Sequence, residues 1–260
     1  MKSVYRLPEV SLRWIPIWRR NIMVWRRLVT QSIIGNVAEP VITLLAFGYG
    51  FGSMLPPLEG VSYIAFLASG AICMNTFNAA TFESLYSAFT RMHVQRSWEA
   101  MMNAPLSLDD VVLAEMLWAA TKSVFTGVSV LAVIAVLGIS HEPFMLLTIP
   151  LLLVIGMTAA SLGLVINALA RNYDFFTYYF TLVVTPMWFL SGVFFPTVQM
   201  PWWLQEISRV LPLTAAVNLV RPLILGRMPE EIGFNLLILL GYIVIALYAA
   251  VVLTRRRLLK

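Results

Sequence analysis

The sequence predicts an all-α, polytopic membrane protein with six transmembrane helices, an N-terminal interfacial amphipathic helix and short re-entrant helices before the last span. Three observations carry this. Of the 260 residues, 60% are hydrophobic and only 12% charged, with a mean hydropathy of +0.82, whereas about a quarter of residues are charged in an average soluble domain. Six apolar stretches reach the roughly 20 residues that a helix needs to cross a hydrocarbon core of ~30 Å. The basic residues lie mostly on one side of those stretches.

The first residues are too charged for a cleavable signal peptide, because seven basic side chains interrupt any apolar run within the first 28 positions. At 100° per residue, Trp14, Trp18, Ile22, Trp25 and Val29 share one sector, and Arg13, Arg19, Arg20, Arg26 and Arg27 point the other way. The pattern is that of a helix lying at the headgroup level, Trp at the interface and Arg toward anionic lipid. A helix packed against a protein partner is the alternative. Pro16 either starts the regular helix or kinks it. Residues 1–29 are thus read as a cytoplasmic amphipathic segment and 30–260 as the transmembrane domain.

The six spans are placed at Gly35 to Leu55, Val61 to Tyr86, Val111 to Gly138, Phe144 to Leu169, Phe176 to Phe195 and Phe234 to Leu253. An even number puts both termini on one side. Seven basic residues before position 28, Arg91 and Arg96 in the 90–110 loop, Arg171 in the fourth-to-fifth connection, and Arg255, Arg256, Arg257 and Lys260 in the tail make fourteen of the 18. The termini and the 90–110 loop are therefore expected in the cytoplasm, with the protein in a bacterial inner membrane. The net charge of +5 follows from this asymmetry and does not point to nucleic acid.

The 90–110 loop is the one sizeable polar island between apolar segments. It carries Arg91, Arg96, Glu99, Asp109 and Asp110, with Trp98 and a stop at Pro105. That suits a short amphipathic helix ending in a turn, read either as a solvated hairpin or as a docking segment. On the opposite side, prolines 186 and 196 bracket an apolar run, and 198–226 reads as one or two short helices dipping into the outer leaflet, divided by Pro212 and Pro222.

Four ionisable residues fall inside spans: Glu39, Glu83, Glu115 and Lys122. Charges in a membrane default to function, but four scattered groups make no continuous proton path. Structural pairing, with Lys122 meeting a carboxylate or snorkelling, is the favoured reading. The single Cys73 allows no intramolecular disulfide. No G-x-x-x-x-G-K-[ST], H-E-x-x-H or G-x-S-x-G occurs, and His93 and His141 lie in opposite loops, so no nucleotide site, metal or cofactor is expected on this chain, nor any enzymatic activity of its own.

The order RSWEAMMNAPLSLDDVVLAE, LARNYDFF and TPMWFLSGVFFP between these helices resembles the permease subunit of ABC-2 type exporters, over essentially the whole chain. Within that family WRRN, GNVAEP, GVSYIAFLASG and AEMLWAATK are similar to the nodulation protein J group. The resemblance implies a coupling helix over Arg91 to Leu106, with Arg91, Arg96, Trp98, Glu99, Met102 and Pro105 against a NodI-like ATP-binding subunit that holds ATP and Mg. It also implies a second permease copy facing the first, with the path flanked by the first, second and fifth spans. Phe77, Phe82, Tyr178, Tyr179, Trp188 and Phe189 are candidate path residues, since sugar rings and acyl chains both pack on aromatic faces; ordinary core or lipid-facing aromatics are the alternative. The cargo implied is an amphipathic glycolipid of the lipo-chitooligosaccharide kind or another hydrophobic compound. A proton-coupled secondary transporter using Glu83, Glu115 and Lys122 is the competing class, and a membrane transferase lacks an acid/base cluster.

Overall fold

The computed structural model describes residues 5–8, 11–50, 52, 54–58 and 60–259, and of the side chains of Leu28, Gln31, Ser32, Ile33, Asn36, Val37 and Tyr49 nothing is said. Among these residues the chain is all-helical, with only an isolated bridge between Leu58 and Val61. Its first helix, α1, is Trp14–Trp25, and Pro16 lies in the first turn, where a missing N–H costs nothing. The predicted apolar sector, Trp14, Trp18, Ile22, Trp25 and Val29, is half-buried and Arg13, Arg19, Arg26 and Arg27 are exposed, but the buried residues of α1 are Ile17 and Asn21, so its packed face is turned to one side of that sector. What that sector meets is this chain's own fifth helix, on which Trp25 stacks through Phe125 with centroids 4.9 Å apart.

Helix α2, Val29–Thr43, continues into a π-helical stretch, Leu44–Tyr49. It begins earlier than the expected first span and takes Glu39 and Pro40 into its body. The second expected span is α3, which runs as an apolar helix of 32 residues, Tyr63–Val94. It is α-helical over Tyr63–Phe82 and then widens twice, at Glu83–Ser87 and Thr90–Val94. A short α4, Ser97–Met102, precedes α5, Leu108–Val136. Ser107 opens α5 with a capping box: its Oγ accepts from the Asp110 N–H at 3.1 Å and the Asp110 carboxylate accepts from the Ser107 N–H at 3.0 Å.

Helix α6, Thr148–Leu169, sits at the centre, against α3, α5, α10 and α11. Its glycines permit this closeness: a Cβ on Gly156 would stand 2.9 Å from the Ala120 Cα, and one on Gly163 would stand 3.1 Å from the Ser84 Cβ. The fifth expected span is interrupted. It comprises α7, Asp174–Tyr179, a π stretch Phe180–Val184 and α8, Thr185–Leu190, ended by Gly192 at φ 72°, a left-handed turn that suits glycine.

Then come α9, Trp202–Val210, and α10, Pro212–Ile224, bent by 85° at their junction. Pro212 divides them as expected. Pro222 does not; it lies inside the last turn of α10. The chain closes with α11, Ile232–Leu258. By length and composition, four described helices can cross a membrane, α3, α5, Pro143–Leu169 and α11, or five if the bent α9–α10 pair is one span. Among the described residues the first and fifth expected spans fall short of that measure in length, the first being apolar over Ala38–Gly48 and the fifth running only from Asp174 to Leu190.

One end of the molecule gathers its basic residues. Arg255 pairs with Asp109 and donates to the Arg6 carbonyl at 2.5 Å. Arg257 donates to the Asn167 and Ala168 carbonyls at 2.9 and 3.0 Å, capping the C-terminus of α6, where orphan carbonyls favour a cation. Residues 5–6, the 91–110 region and the end of α11 thus meet on one side.

Candidate functional site

Glu83 and Arg91 are eight residues apart, so an unbroken α-helix would leave them about 80° apart around its axis. The wider turns at 83–87 and 90–94 take up that difference and put both on the face toward α5. The widening also frees carbonyls, and Asn167 of α6 answers it: its Nδ2 donates to the Ser84 and Leu85 carbonyls at 2.9 and 3.3 Å. A local defect in α3 is thereby tied into the central helix.

The four side chains that result form one ion-pair quartet. Glu83, 4% exposed, accepts four hydrogen bonds: from Arg91 Nη2 at 3.0 Å, Trp118 Nε1 at 2.7 Å, Ser87 Oγ at 2.9 Å and Lys122 Nζ at 2.7 Å. That matches the capacity of a carboxylate. Glu115, 1% exposed, receives a two-pronged contact from Arg91, Nε at 2.9 Å and Nη2 at 2.5 Å. The seven-residue spacing does place Glu115 and Lys122 on one face of α5, but each meets α3, and Lys122 pairs with Glu83. Glu39 stays outside the quartet; it lines a separate cavity of about 250 Å³ that Lys122, Asn75, Asn78 and Phe82 also reach.

The short helix α4 is riveted to this quartet. Trp98, which the resemblance sets against the ATP-binding subunit, is 1% exposed and donates its Nε1–H to Glu115 Oε1 at 3.2 Å. Arg91 likewise faces inward, and Met102 is half-buried. The outward residues from 96 to 105 are Arg96, Glu99, Ala100, Asn103, Ala104 and Pro105. Arg96 has φ 49°, a left-handed conformation rare for a residue with a side chain, and it makes the corner between α3 and α4. The preceding segment clamps the same region: Ser11 Oγ donates to Asp110 at 2.6 Å, Arg13 to the Pro105 carbonyl at 3.1 Å, and Trp18 Nε1 to Thr121 Oγ1 at 3.0 Å.

The candidate path aromatics do not form one group. Phe77 is core at 1% exposure, Tyr179 is buried, Trp188 half-buried, and Phe82, Tyr178 and Phe189 are exposed. Phe82 belongs to a ladder not foreseen in the sequence: it stacks on Tyr86 at 5.4 Å and meets Phe180 at 4.6 Å, while Tyr86 contacts Phe176 at 5.1 Å. Tyr173 extends it, its hydroxyl 2.8 Å from Thr90 Oγ1. The ladder joins α3 to α7 and the π stretch that follows. Aromatic residues four apart in each strip, Phe82/Tyr86 and Phe176/Phe180, are the signal that would have found it.

Comparison with known proteins identifies relatives over most of the chain. The profile of the family described as "ABC-2 type transporter" matches residues 14–225. The chain is 44% identical over 258 residues to nodulation protein J of Rhizobium leguminosarum bv. viciae, covering 99% of this chain and 100% of that one. It is 40% identical over 256 residues to nodulation protein J of Rhizobium meliloti, 98% of each chain. Inner membrane transport permease YadH of Escherichia coli is more distant, 25% identical over 213 residues, 80% of this chain and 82% of that one.

Proposed function

The chain belongs to the ABC-2 type transporter family, and on that footing we propose that it exports an amphipathic glycolipid of the lipo-chitooligosaccharide kind from the inner side of a bacterial inner membrane. Family membership makes it a multi-pass transport subunit with an ATP-binding partner. The finer reading has six crossings, α2 and the interrupted α7–α8 helix being the first and fifth, and α9–α10 dipping into the outer leaflet. Both termini face the cytoplasm. Two copies enclose the path, and a NodI-like subunit supplies the energy.

The observation that carries the reading is the construction of α4. Its inner side is anchored through the Trp98 N–H to Glu115 of α5, which Arg91 of α3 also grips, and Glu99 and the preceding Arg96 face solvent. A partner pressing on the outer side reaches α5 through the Trp98–Glu115 hydrogen bond, and the ion pairs of Arg91 with Glu115 and Glu83 carry the displacement into α3. In this proposal Arg96, Glu99 and Pro105 touch the ATPase, while Trp98, Arg91 and Met102 transmit the push. Similarity to nodulation protein J over nearly the full chain supports the cargo class.

The test is transport of a lipo-chitooligosaccharide into inverted vesicles or liposomes holding the chain with its ATPase. Uptake that needs ATP and ignores an imposed pH gradient is the expected result. Uptake driven by a gradient without ATP, and lost in Glu115→Gln, would overturn the reading.

A further inference from the structure

Between α1, α3 and α5 lies a cavity of about 500 Å³ lined by Arg20, Asn21, Trp25, Glu83, Arg91 and Lys122, among others. Its charges do not balance. Arg91 and Lys122 are matched by Glu83 and Glu115, which leaves Arg20 as an additional cation. Arg20 Nη2 donates to Asn21 Oδ1 at 2.9 Å and Nη1 to Met101 Sδ at 3.2 Å, both neutral acceptors, and among the described residues no carboxylate lies within ion-pair distance of it. Burial lowers its pKa from the ordinary guanidinium value by more than the nearby Glu115 carboxylate raises it, and Arg91 lowers it further.

Asn21 sharpens the point. Because its Oδ1 accepts from Arg20, the amide can be oriented only one way, and the Nδ2 on the other side is a donor. Asn21 is 5% exposed, and this Nδ2 is buried without a hydrogen-bond partner. A desolvated donor left unpaired costs about 1–3 kcal/mol. A surplus cation beside a surplus donor, in a recess with room for a ligand, is the complement of an anion with several acceptor oxygens.

We propose that this cavity binds the phosphate of an anionic phospholipid, with Arg20 and Asn21 Nδ2 as its donors and the Trp25 side of α1 against its glycerol and upper acyl chain. A lipid phosphate fits better than a free one because the same helix exposes Met23 and Val24, 53% and 60%, and Val24 and Trp25 line the cavity. Apolar surface adjoins the donors, and only a molecule with both characters covers it. Through Arg20 and Met101 the bound lipid would also brace α4 against α1. This assignment concerns binding and stands whether or not the transport proposal does.

The experiment uses the purified full chain in detergent, titrated with phosphatidylglycerol, phosphatidylcholine or inorganic phosphate, and read by native mass spectrometry and thermal shift. Phosphatidylglycerol should be retained and stabilising, phosphatidylcholine not, and inorganic phosphate at matched concentration should do little. Arg20→Gln should cut retention about tenfold, the scale of a lost charge-assisted contact, and Arg19→Gln, an exposed neighbour, should leave it unchanged. Asn21→Asp supplies a carboxylate beside Arg20; it should fold, melt higher without lipid and lose phosphatidylglycerol about tenfold, so it decides the matter even if Arg20→Gln fails to fold. Equal losses in the Arg19 and Arg20 variants, undiminished binding by Asn21→Asp, or stabilisation by inorganic phosphate without lipid retention would each overturn the assignment.

Discussion

Trp98 donates its indole N–H to Glu115 across 3.2 Å, joining the helix between α3 and α5 to the middle of an ion-pair quartet. The bond turns the largest side chain of the polar island into an internal anchor. Two kinds of residue then share that short helix, and they respond differently to mutation.

Trp98→Phe keeps most of the buried volume and loses the hydrogen bond, so about 1 kcal/mol of stability should go, while Trp98→Ala should cost about 3–5 kcal/mol. Both appear as lower melting temperatures of the purified chain. Glu99→Arg, on the exposed side, should leave melting unchanged and lower the affinity for the ATPase, by about 30-fold if it is an anchor of the contact. A normal export rate in a folded Glu99→Arg variant would remove this helix from the contact.

Glu83→Gln should destabilise by about 3 kcal/mol, because Lys122 and part of Arg91 are left without their carboxylate. The double variant Glu83→Gln/Lys122→Met removes both charges of one pair and should recover part of that loss. A double-mutant cycle from thermal denaturation measures the coupling. Additive losses would mean that the two residues do not act as a pair.

Gly163→Val should destabilise the packing of α6 on α3, since its first carbon already falls 3.1 Å from the Ser84 Cβ and Ser84 is fixed by the hydrogen bond from Asn167. Gly233→Ala, where nothing lies within 4 Å, is the control and should be neutral. Size-exclusion profiles and melting curves distinguish them.

In a Cys73→Ser background, a cysteine at Ser97 should be shielded from impermeant thiol reagents in intact cells, and one at Gln199 should react. Labelling at 97 from outside would break the six-crossing topology.

Much of this was legible in the residues. The 3.6-residue period in Trp14, Trp18, Ile22, Trp25 and Val29 gives the half-buried edge of α1 but not its buried Ile17 and Asn21, and period alone cannot tell a lipid surface from α5. The pairing of the intramembrane charges could be anticipated, since burial forces compensation. Its partner Arg91 could not, because only the wider turns after Phe82 bring it round to Glu83, and no residue pattern marks such turns. Hydropathy finds six apolar stretches where the lengths of the described helices give four or five. Trp98 stands in a polar segment by composition, and its burial depends on Glu115 arriving from another helix.

The quartet has two positive and two negative members held within hydrogen-bond distance. Moving one elementary charge through the membrane field costs about 2.3 kcal/mol per 100 mV, but a neutral cluster displaced as a unit transfers no charge. In the proposed coupling, a push from α4 into the spans is therefore electrically silent: its work is the same in an energised cell and in one whose membrane potential has collapsed.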